Sequence, residues 1–164
     1  MKEDITFLLN KAYFFLKFRP RTEKEVYDYL LKKIKKTHYS TNDIKKVIEK
    51  LKEMNLLNDK KFIEDYVSFR LKNNPKSQRV LIYELRKKGL GEDLINDYFS
   101  YNQVNEEELA FLLLKKRWPR LLKHNKKDRL KKAFDFLLRR GFDFSTARKT
   151  VEKFEGYGKI DLDI

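Results

Sequence analysis

Hydrophobic residues recur at helical spacing along almost the whole chain. Ile44, Val47, Ile48 and Leu51 illustrate the pattern, because residues three and four apart share one face of an α-helix. The chain contains only 5 glycines and 3 prolines, which leaves little turn chemistry for β-hairpins. The spacing therefore predicts an all-α fold of nine helices with almost no strand.

The predicted helices fall into threes, and the first three are bounded by clear signals. A first helix is expected from about residue 5 to 18, because Pro20 disfavours helical geometry at the residue before it. Thr22 caps the second helix, and Glu25 completes a capping box. The third helix starts near residues 41–42. The expected buried stripe of the second helix is Val26, Tyr29, Leu30 and Ile34.

The second and third groups follow the same plan. Asn58 or Asp59 opens the second group, Asn74-Pro75 breaks its first helix, and Gly89 is a suitable left-handed C-cap. Asn105 caps the third group, with Glu108 at the third position, and Trp118-Pro119 is expected to interrupt that helix. The residues predicted to face inward are Phe62, Tyr66, Phe69, Leu109, Leu112, Leu113, Leu130, Ala133, Phe134, Leu137, Leu138, Ala147, Val151 and Phe154.

A basic helix followed by a Lys/Arg-rich turn and a further helix occurs three times. Gly89 and Gly141 mark two of these turns and lie 52 positions apart. Repetition at this period indicates an array of supersecondary units, whose function is spread along a surface. The predicted organisation is three tandem three-helix repeats at residues 1–57, 58–104 and 105–154, with a flexible tail at 155–164. We expect them to form an elongated, curved helical array.

Charge adds a second constraint. The chain has 39 Lys and Arg against 25 Asp and Glu, a net charge of +14. Residues 109–154 alone hold 15 basic and 4 acidic side chains, a net charge of +11. Such asymmetry favours a polyanionic partner, most simply nucleic acid, over a purely solubilising role. Trp118 lies inside this basic region, where we interpret it as a core anchor and not as a base-stacking platform.

Three motifs carry a resemblance to a known family. They are LLNDKKFIEDYVSFR at residues 56–70, RVLIYELRKKG at 79–89, and RL at 129–130 followed by LRRGF at 138–142. Together, in this order and spacing, they resemble the bacterial RecX regulatory proteins over about residues 9–154. Two features depart from the family pattern. The first repeat has Lys36-Thr37-His38-Tyr39 where a glycine is usual, and the loop after Trp118-Pro119 is unusually basic.

The resemblance implies a regulator of the recombinase RecA. Such a protein would dock along the groove of a RecA–DNA filament and inhibit strand exchange and ATP hydrolysis, in recombination and DNA repair. It would also bind single- and double-stranded DNA without sequence specificity. The alternatives are a stand-alone helix-turn-helix DNA-binding protein and a helical scaffold without a nucleic-acid role. No helix carries the Arg/Asn/Gln cluster expected for reading base edges.

Catalysis has little support in the sequence. No cysteine is present, so disulfides, zinc thiolates and a thiol nucleophile are excluded. His38 and His124 lie in polar segments, and no glycine-rich phosphate loop occurs. We therefore expect a non-enzymatic protein without cofactor or metal. The longest apolar run, residues 109–114, is too short to cross a membrane, and no signal peptide is apparent, so a cytoplasmic protein is expected. A monomer is expected as well, although no sequence feature specifies the oligomeric state.

Long cationic side chains on one face are what phosphate binding requires. The predicted contact residues in the third repeat are Lys115, Lys116, Arg117, Arg120, Lys123, Lys127, Arg129, Lys132, Arg139 and Arg140. The corresponding corners of the first two repeats add Arg19, Arg21, Arg70, Lys76 and Arg79. Because ten cations cannot all face one ligand, part of the third-repeat run is expected to be solvated helix surface.

Overall fold

The computed structural model of the chain describes residues 5–157. Within them the secondary structure consists of nine α-helices, with no strand. The helices are α1 (Thr6–Leu16), α2 (Glu23–Ile34), α3 (Thr41–Glu53), α4 (Asp59–Asn73), α5 (Gln78–Lys87), α6 (Glu92–Tyr101), α7 (Glu106–Leu121), α8 (Lys126–Leu138) and α9 (Phe144–Tyr157). The all-α fold with three helices in each repeat is confirmed.

The chain divides into two compact units. The first comprises Met1–Tyr66 and Glu84–Tyr98, and the second comprises Val67–Tyr83 and Phe99–Ile164. This division passes through α4, α5 and α6. The predicted repeat boundaries at residues 57/58 and 104/105 instead lie in the segments between helices.

Local capping explains where several helices begin. Thr22 Oγ1 accepts a hydrogen bond from the Glu25 backbone N–H, and the Glu25 side chain accepts one from the Thr22 N–H, so the predicted capping box is present. The cap of α3 is Ser40, one residue before the predicted start, and it forms a second capping box with Asp43. Asn105 caps α7 through the Glu108 N–H, as predicted. Such caps satisfy N–H groups that have no partner within the helix.

The core of the first unit is formed mainly by α1, α2 and α3. Their buried apolar residues are Leu8, Leu9, Ala12, Val26, Leu30, Ile44, Val47, Ile48, Leu51 and Leu57. Tyr29 and Ile34, also predicted to be buried, are half-buried at the edge of this cluster. The Tyr29 ring stacks on Phe15 with 4.1 Å between centroids. On α3, Ile44, Val47, Ile48 and Leu51 are all buried, as their helical spacing predicts.

The core of the second unit surrounds Trp118. The indole is only 9% exposed, and its ring centroid lies 4.7 Å from that of Phe154. Its buried neighbours in the same cluster are Ala110, Leu113, Leu114, Leu121, Ala133, Leu137, Phe142, Ala147 and Val151. This confirms that Trp118 anchors the core and leaves it no exposed face on which a base could stack.

Three residues predicted to face inward are exposed. Phe69 is 63% exposed, because α4 buries Phe62, Ile63 and Val67 and therefore turns a different stripe toward the core. Leu112 is 48% exposed and Leu138 is 37% exposed. Where apolar residues occur on more than one side of a helix, their pattern does not specify which side is buried, and tertiary packing determines it.

Helix ends account for the other differences. Pro119 lies inside α7, which continues to Leu121 instead of ending at the predicted interruption. Burial of both Trp118 and Leu121 holds this last turn in place despite the missing N–H of the proline. Helix α1 ends at Leu16, two residues earlier than predicted. Helix α9 extends to Tyr157, so the predicted tail begins with helix, and residues 158–164 lie outside the described residues.

Candidate polyanion-binding surface

The start of α2 is the centre of a junction within the first unit. Thr22 is fully buried, and its hydroxyl donates a hydrogen bond to the Lys88 carbonyl oxygen at 2.6 Å. The Glu23 N–H donates to Asp59 Oδ1 at 3.0 Å. A carboxylate from the start of α4 and a carbonyl from the turn after α5 therefore both meet the first turn of α2, where the helix dipole favours negative charge.

Gly89 lets the turn after α5 approach α2 closely. Its φ of +81° lies in the left-handed region that other residues rarely adopt. A Cβ atom at this position would overlap Cβ and Cγ of Lys24. Glycine is thus required both by its own backbone and by the neighbouring helix.

The second unit contains a junction of the same construction at the start of α5. The Ser77 N–H donates to the Arg140 carbonyl oxygen at 3.0 Å, and the Gln78 N–H donates to Glu106 Oε1 at 2.7 Å. Gly141 has a φ of +89°, and a Cβ there would overlap the side chains of Val80 and Ser77. Glycines 52 positions apart therefore perform the same task in two repeats. The turn after α2 lacks a glycine.

The two junctions differ in how their cations are paired. In the first, Glu25 accepts a hydrogen bond from Arg19 at 2.8 Å and lies 3.7 Å from Lys88 Nζ. Burial of Glu25 opposes its ionisation, but the hydrogen bonds from Arg19 and Thr22 and the charge of Lys88 outweigh that effect and lower its pKa. One carboxylate thus serves as internal counterion for two cations.

The second junction lacks this counterion. Counting from the shared prolines, Pro20 and Pro75, the position of Glu25 is occupied by Val80, and the position of Lys88 before the glycine is occupied by Arg140. Among residues 5–157, the acceptors of the Arg140 side chain are both neutral oxygens, Asn74 Oδ1 at 3.0 Å and the Pro75 carbonyl at 2.8 Å.

The environment of the Arg140 guanidinium is electropositive. Burial is the main cause that lowers its pKa, and the charges of Arg117 and Arg70 add to the effect. The guanidinium carbon lies 5.0 Å from the Phe136 ring centroid, and that of Arg117 lies 5.7 Å from the same centroid. Two arginines are therefore positioned on one aromatic ring with like charges facing each other.

Arg140 lies in a groove of the second unit that has a volume of about 420 Å³. Five cations and no carboxylate line it, and its residues are Leu71, Lys72, Asn73, Pro75, Leu109, Leu112, Leu113, Lys116, Arg117, Arg120, Phe136 and Arg140. None of the five cations forms an ion pair with a carboxylate among residues 5–157. We call this feature the basic groove.

Three family models match the chain one after another. The models of the first, second and third three-helix domains of RecX match residues 9–51, 58–98 and 105–151, respectively. A regulatory protein RecX from Prosthecochloris aestuarii is 32% identical over 88% of this chain and 91% of its own length. The chain belongs to the RecX family.

Other RecX proteins are similar in sequence and in structure. The regulatory protein RecX of Clostridium perfringens (strain 13) is 36% identical over 81% of this chain, which spans 61% of that relative. The chain thus spans about three fifths of some of the curated relatives it matches. The crystal structure of RecX from Lactobacillus salivarius matches with a TM-score of 0.73 at 25% identity, covering 94% of this chain and 99% of that one.

The basic groove brings together four of the contact residues predicted for the third RecX repeat: Lys116, Arg117, Arg120 and Arg140. Two further residues line the same groove and were not among the predicted contact residues: Lys72, which belongs to the cationic corner of the second repeat, and Phe136. Phe136 lies on α8 four positions before Arg140, which follows the end of that helix, and this spacing could have identified the pair.

The other predicted contact residues lie outside the basic groove. Arg129 stacks over Trp118 at 5.5 Å, and its buried Nε has no hydrogen-bond partner within the described residues. Arg21 lies 3.9 Å from the Phe15 ring centroid. Five other predicted contacts are exposed cations outside the groove: Lys115, Lys123, Lys127, Lys132 and Arg139. Lys76 and Arg70 are half-buried. Arg19 forms an ion pair with Glu25, and the Arg79 side chain donates a hydrogen bond to the Gly141 carbonyl oxygen at 3.3 Å. Their role in contacting a partner stays a prediction.

The described residues contain neither a metal-ligand cluster nor a helix able to cross a membrane. Across the part of the chain that the structure describes, no group of three or more His, Asp or Glu side chains is arranged to hold a metal ion. His38 packs against Tyr39 with 4.2 Å between ring centroids, and His124 Nε2 lies 3.3 Å from Lys132 Nζ. No helix among the described residues has the length and apolarity needed to span a bilayer.

Proposed function

We propose that this RecX-family chain is a non-enzymatic regulator that binds the RecA–DNA filament and inhibits RecA strand exchange and ATP hydrolysis. Curated relatives are named regulatory protein RecX, which supports a regulatory role connected with RecA. The observation that carries the contact part of the proposal is the basic groove, in which five cations lack a carboxylate partner. A cluster of cations without counterions favours binding of an external polyanion.

Filament docking combines two kinds of contact in this proposal. Exposed cations of the third repeat attract DNA phosphates through a sequence-independent interaction, so single- and double-stranded DNA both bind. The remaining repeat surfaces bind RecA protomers. The chain acts as a monomer in the cytoplasm and needs no cofactor, because its effect on ATP hydrolysis is exerted on the active site of RecA.

The test is RecA ATP hydrolysis on single-stranded DNA with increasing amounts of the chain. Inhibition at stoichiometries well below one chain per RecA protomer is expected if docking blocks filament growth. Strand exchange measured in the same mixtures is expected to fall in parallel. Unchanged ATP hydrolysis and strand exchange at excess chain would refute the proposal, and protection of one defined duplex sequence would favour a helix-turn-helix DNA-binding function instead.

A further inference from the structure

We propose that the basic groove is the binding site for the sugar-phosphate backbone of a single-stranded nucleic acid. The inference deepens the proposed function, on which it rests for the nature of its polyanion. It names the site, the strand state and the reason this repeat differs from the others.

The first argument is the replacement of the acidic Glu25 of the first junction by the apolar Val80 in the second, where Asn74 also stands at the position of Arg19. Glu25 neutralises Arg19 and Lys88 in the first unit, and Val80 stands at its position in the second. Arg140 is therefore held in place by neutral acceptors while its charge remains uncompensated. A phosphate oxygen that enters the groove would provide the missing negative charge at a guanidinium that is already oriented.

The second argument is the order of residues along α7. The groove-lining positions 109, 112, 113, 116, 117 and 120 follow one helix face. The first three are leucines and the last three are cations, so the groove has an apolar end and a cationic end. Leu112 is 48% exposed there, although the sequence pattern predicts burial.

This apolar-to-cationic order favours a single strand over a duplex. The rise from Leu112 to Arg117 is about 7.5 Å for five helical residues, which lets a base rest on the leucine while its backbone phosphate meets the arginine. The bases of a duplex are stacked and paired, so their faces would not be accessible to the leucines. Three of the five groove cations are arginines, whose planar forks match phosphate oxygens.

The test compares two matched triple variants of the full chain for binding to a labelled oligothymidylate. The groove variant carries Lys116→Gln, Arg117→Gln and Arg120→Gln, whereas the control carries Lys115→Gln, Lys123→Gln and Lys127→Gln. All six positions are exposed, and both variants lose three charges. Circular dichroism and thermal unfolding establish that both remain folded.

The groove variant is expected to lose most of the affinity. With a salt slope of about 0.7 per phosphate contacted by single-stranded DNA, three contacts correspond to a loss of about 100-fold at 0.1 M salt. The slope of log K against log salt should fall by about 2. The control should lose far less. Equal losses in the two variants would overturn the proposal, because they would mean diffuse attraction to the whole basic surface.

A single-residue test addresses the missing counterion directly. Val80→Glu restores the acidic residue found at position 25, and Val80→Gln is its uncharged match in size. The Glu variant should bind the oligothymidylate about fivefold more weakly than the Gln variant, the equivalent of one phosphate contact at 0.1 M salt. Equal affinities would contradict the counterion argument.

Further outcomes separate this inference from the proposed function. Loss of oligothymidylate binding in the groove variant, with no RecA inhibition even by the unaltered chain, would support the groove while refuting the proposed function. Retained oligothymidylate binding with lost RecA inhibition would overturn the groove inference and assign the groove to an acidic protein surface. Equal affinity of the groove for a blunt duplex would refute the single-strand preference.

Discussion

The substitution Gly89→Ala tests whether the glycine turns hold the repeats together. Gly89 has a φ of +81°, and a methyl group there would overlap Cβ and Cγ of Lys24. Gly91, two residues later, is the matched control, because it has no positive φ and no atom within 4 Å of an added Cβ. The two variants thus carry the same substitution at sites that differ in backbone conformation and in neighbouring atoms.

The expected magnitude follows from two contributions. A left-handed backbone costs an alanine about 1–2 kcal/mol relative to glycine, and forcing an extra carbon into a packed contact costs about 1–3 kcal/mol. The Lys24 side chain is half-exposed and can shift in part, so we expect Gly89→Ala to lower the free energy of unfolding by about 2–4 kcal/mol. Gly91→Ala should stay within about 1 kcal/mol of the unaltered chain, because alanine reduces the entropy of the unfolded state.

The measurement is urea unfolding followed by circular dichroism at 222 nm. Gly141→Ala repeats the test in the second unit, where Trp118, the only tryptophan of the chain, reports unfolding by fluorescence. Equal stabilities of Gly89→Ala and Gly91→Ala would refute the role assigned to the glycine turn. So would a loss in both variants that exceeds 2 kcal/mol, because Gly91 has no neighbour to explain it.

Substitutions at three further positions probe the junctions and α7 by urea unfolding. Thr22→Ala should cost about 1–3 kcal/mol, because it removes the cap of α2 and the hydrogen bond to Lys88, and Thr22→Ser should restore most of the loss. Burial raises the pKa of Glu106, so the folded state binds more protons than the unfolded state. The free energy of unfolding therefore falls as pH rises from the pKa of the unfolded state, about 4.3, to the higher pKa of the folded state. Glu106→Gln keeps the oxygen that accepts from the Gln78 N–H and should remove this pH dependence; an unchanged pH profile would contradict the assignment. Pro119→Ala should stabilise the chain by about 1–3 kcal/mol by restoring a helical N–H, and a loss of stability would contradict that account.

Helix ends and repeats were predictable because their signals are local. The capping box of Thr22 and Glu25 involves two residues three positions apart, and the same holds for Asn105 and Glu108. The stripe of α3 was predictable because its polar face is strongly charged, so only one rotation buries the apolar residues. The excess of positive charge in the third repeat follows from composition alone.

Local signals did not predict which face of α4 is buried, nor that α7 continues through Pro119. Helix α4 carries aromatic residues on more than one face, and packing selected the face that leaves Phe69 exposed. Proline is a strong signal for a helix end, but burial of Trp118 and Leu121 on either side of Pro119 keeps the last turn of α7 helical. In both cases tertiary contacts outweigh a local preference of a few kcal/mol.

For the candidate site, too, the sequence predicts the local features, and the fold determines which residues come together. Sequence alone determined that the third repeat is rich in cations, and this excess predicts a polyanionic partner. It also placed four of the five groove cations among the candidates. It did not separate Lys116, Arg117, Arg120 and Arg140, which share the basic groove, from the exposed cations elsewhere on the same repeat.

Tertiary structure decided what the glycines and the groove do. Gly89 and Gly141 read as helix C-caps in the sequence, but each also fits against a helix start more than 60 positions away. Arg140 reads as one cation among many, and only folding brings it beside Asn74, Pro75 and Arg117 without a carboxylate. The physical reason is that caps and helical periods depend on neighbours within four residues, whereas a counterion and its absence depend on contacts between distant segments.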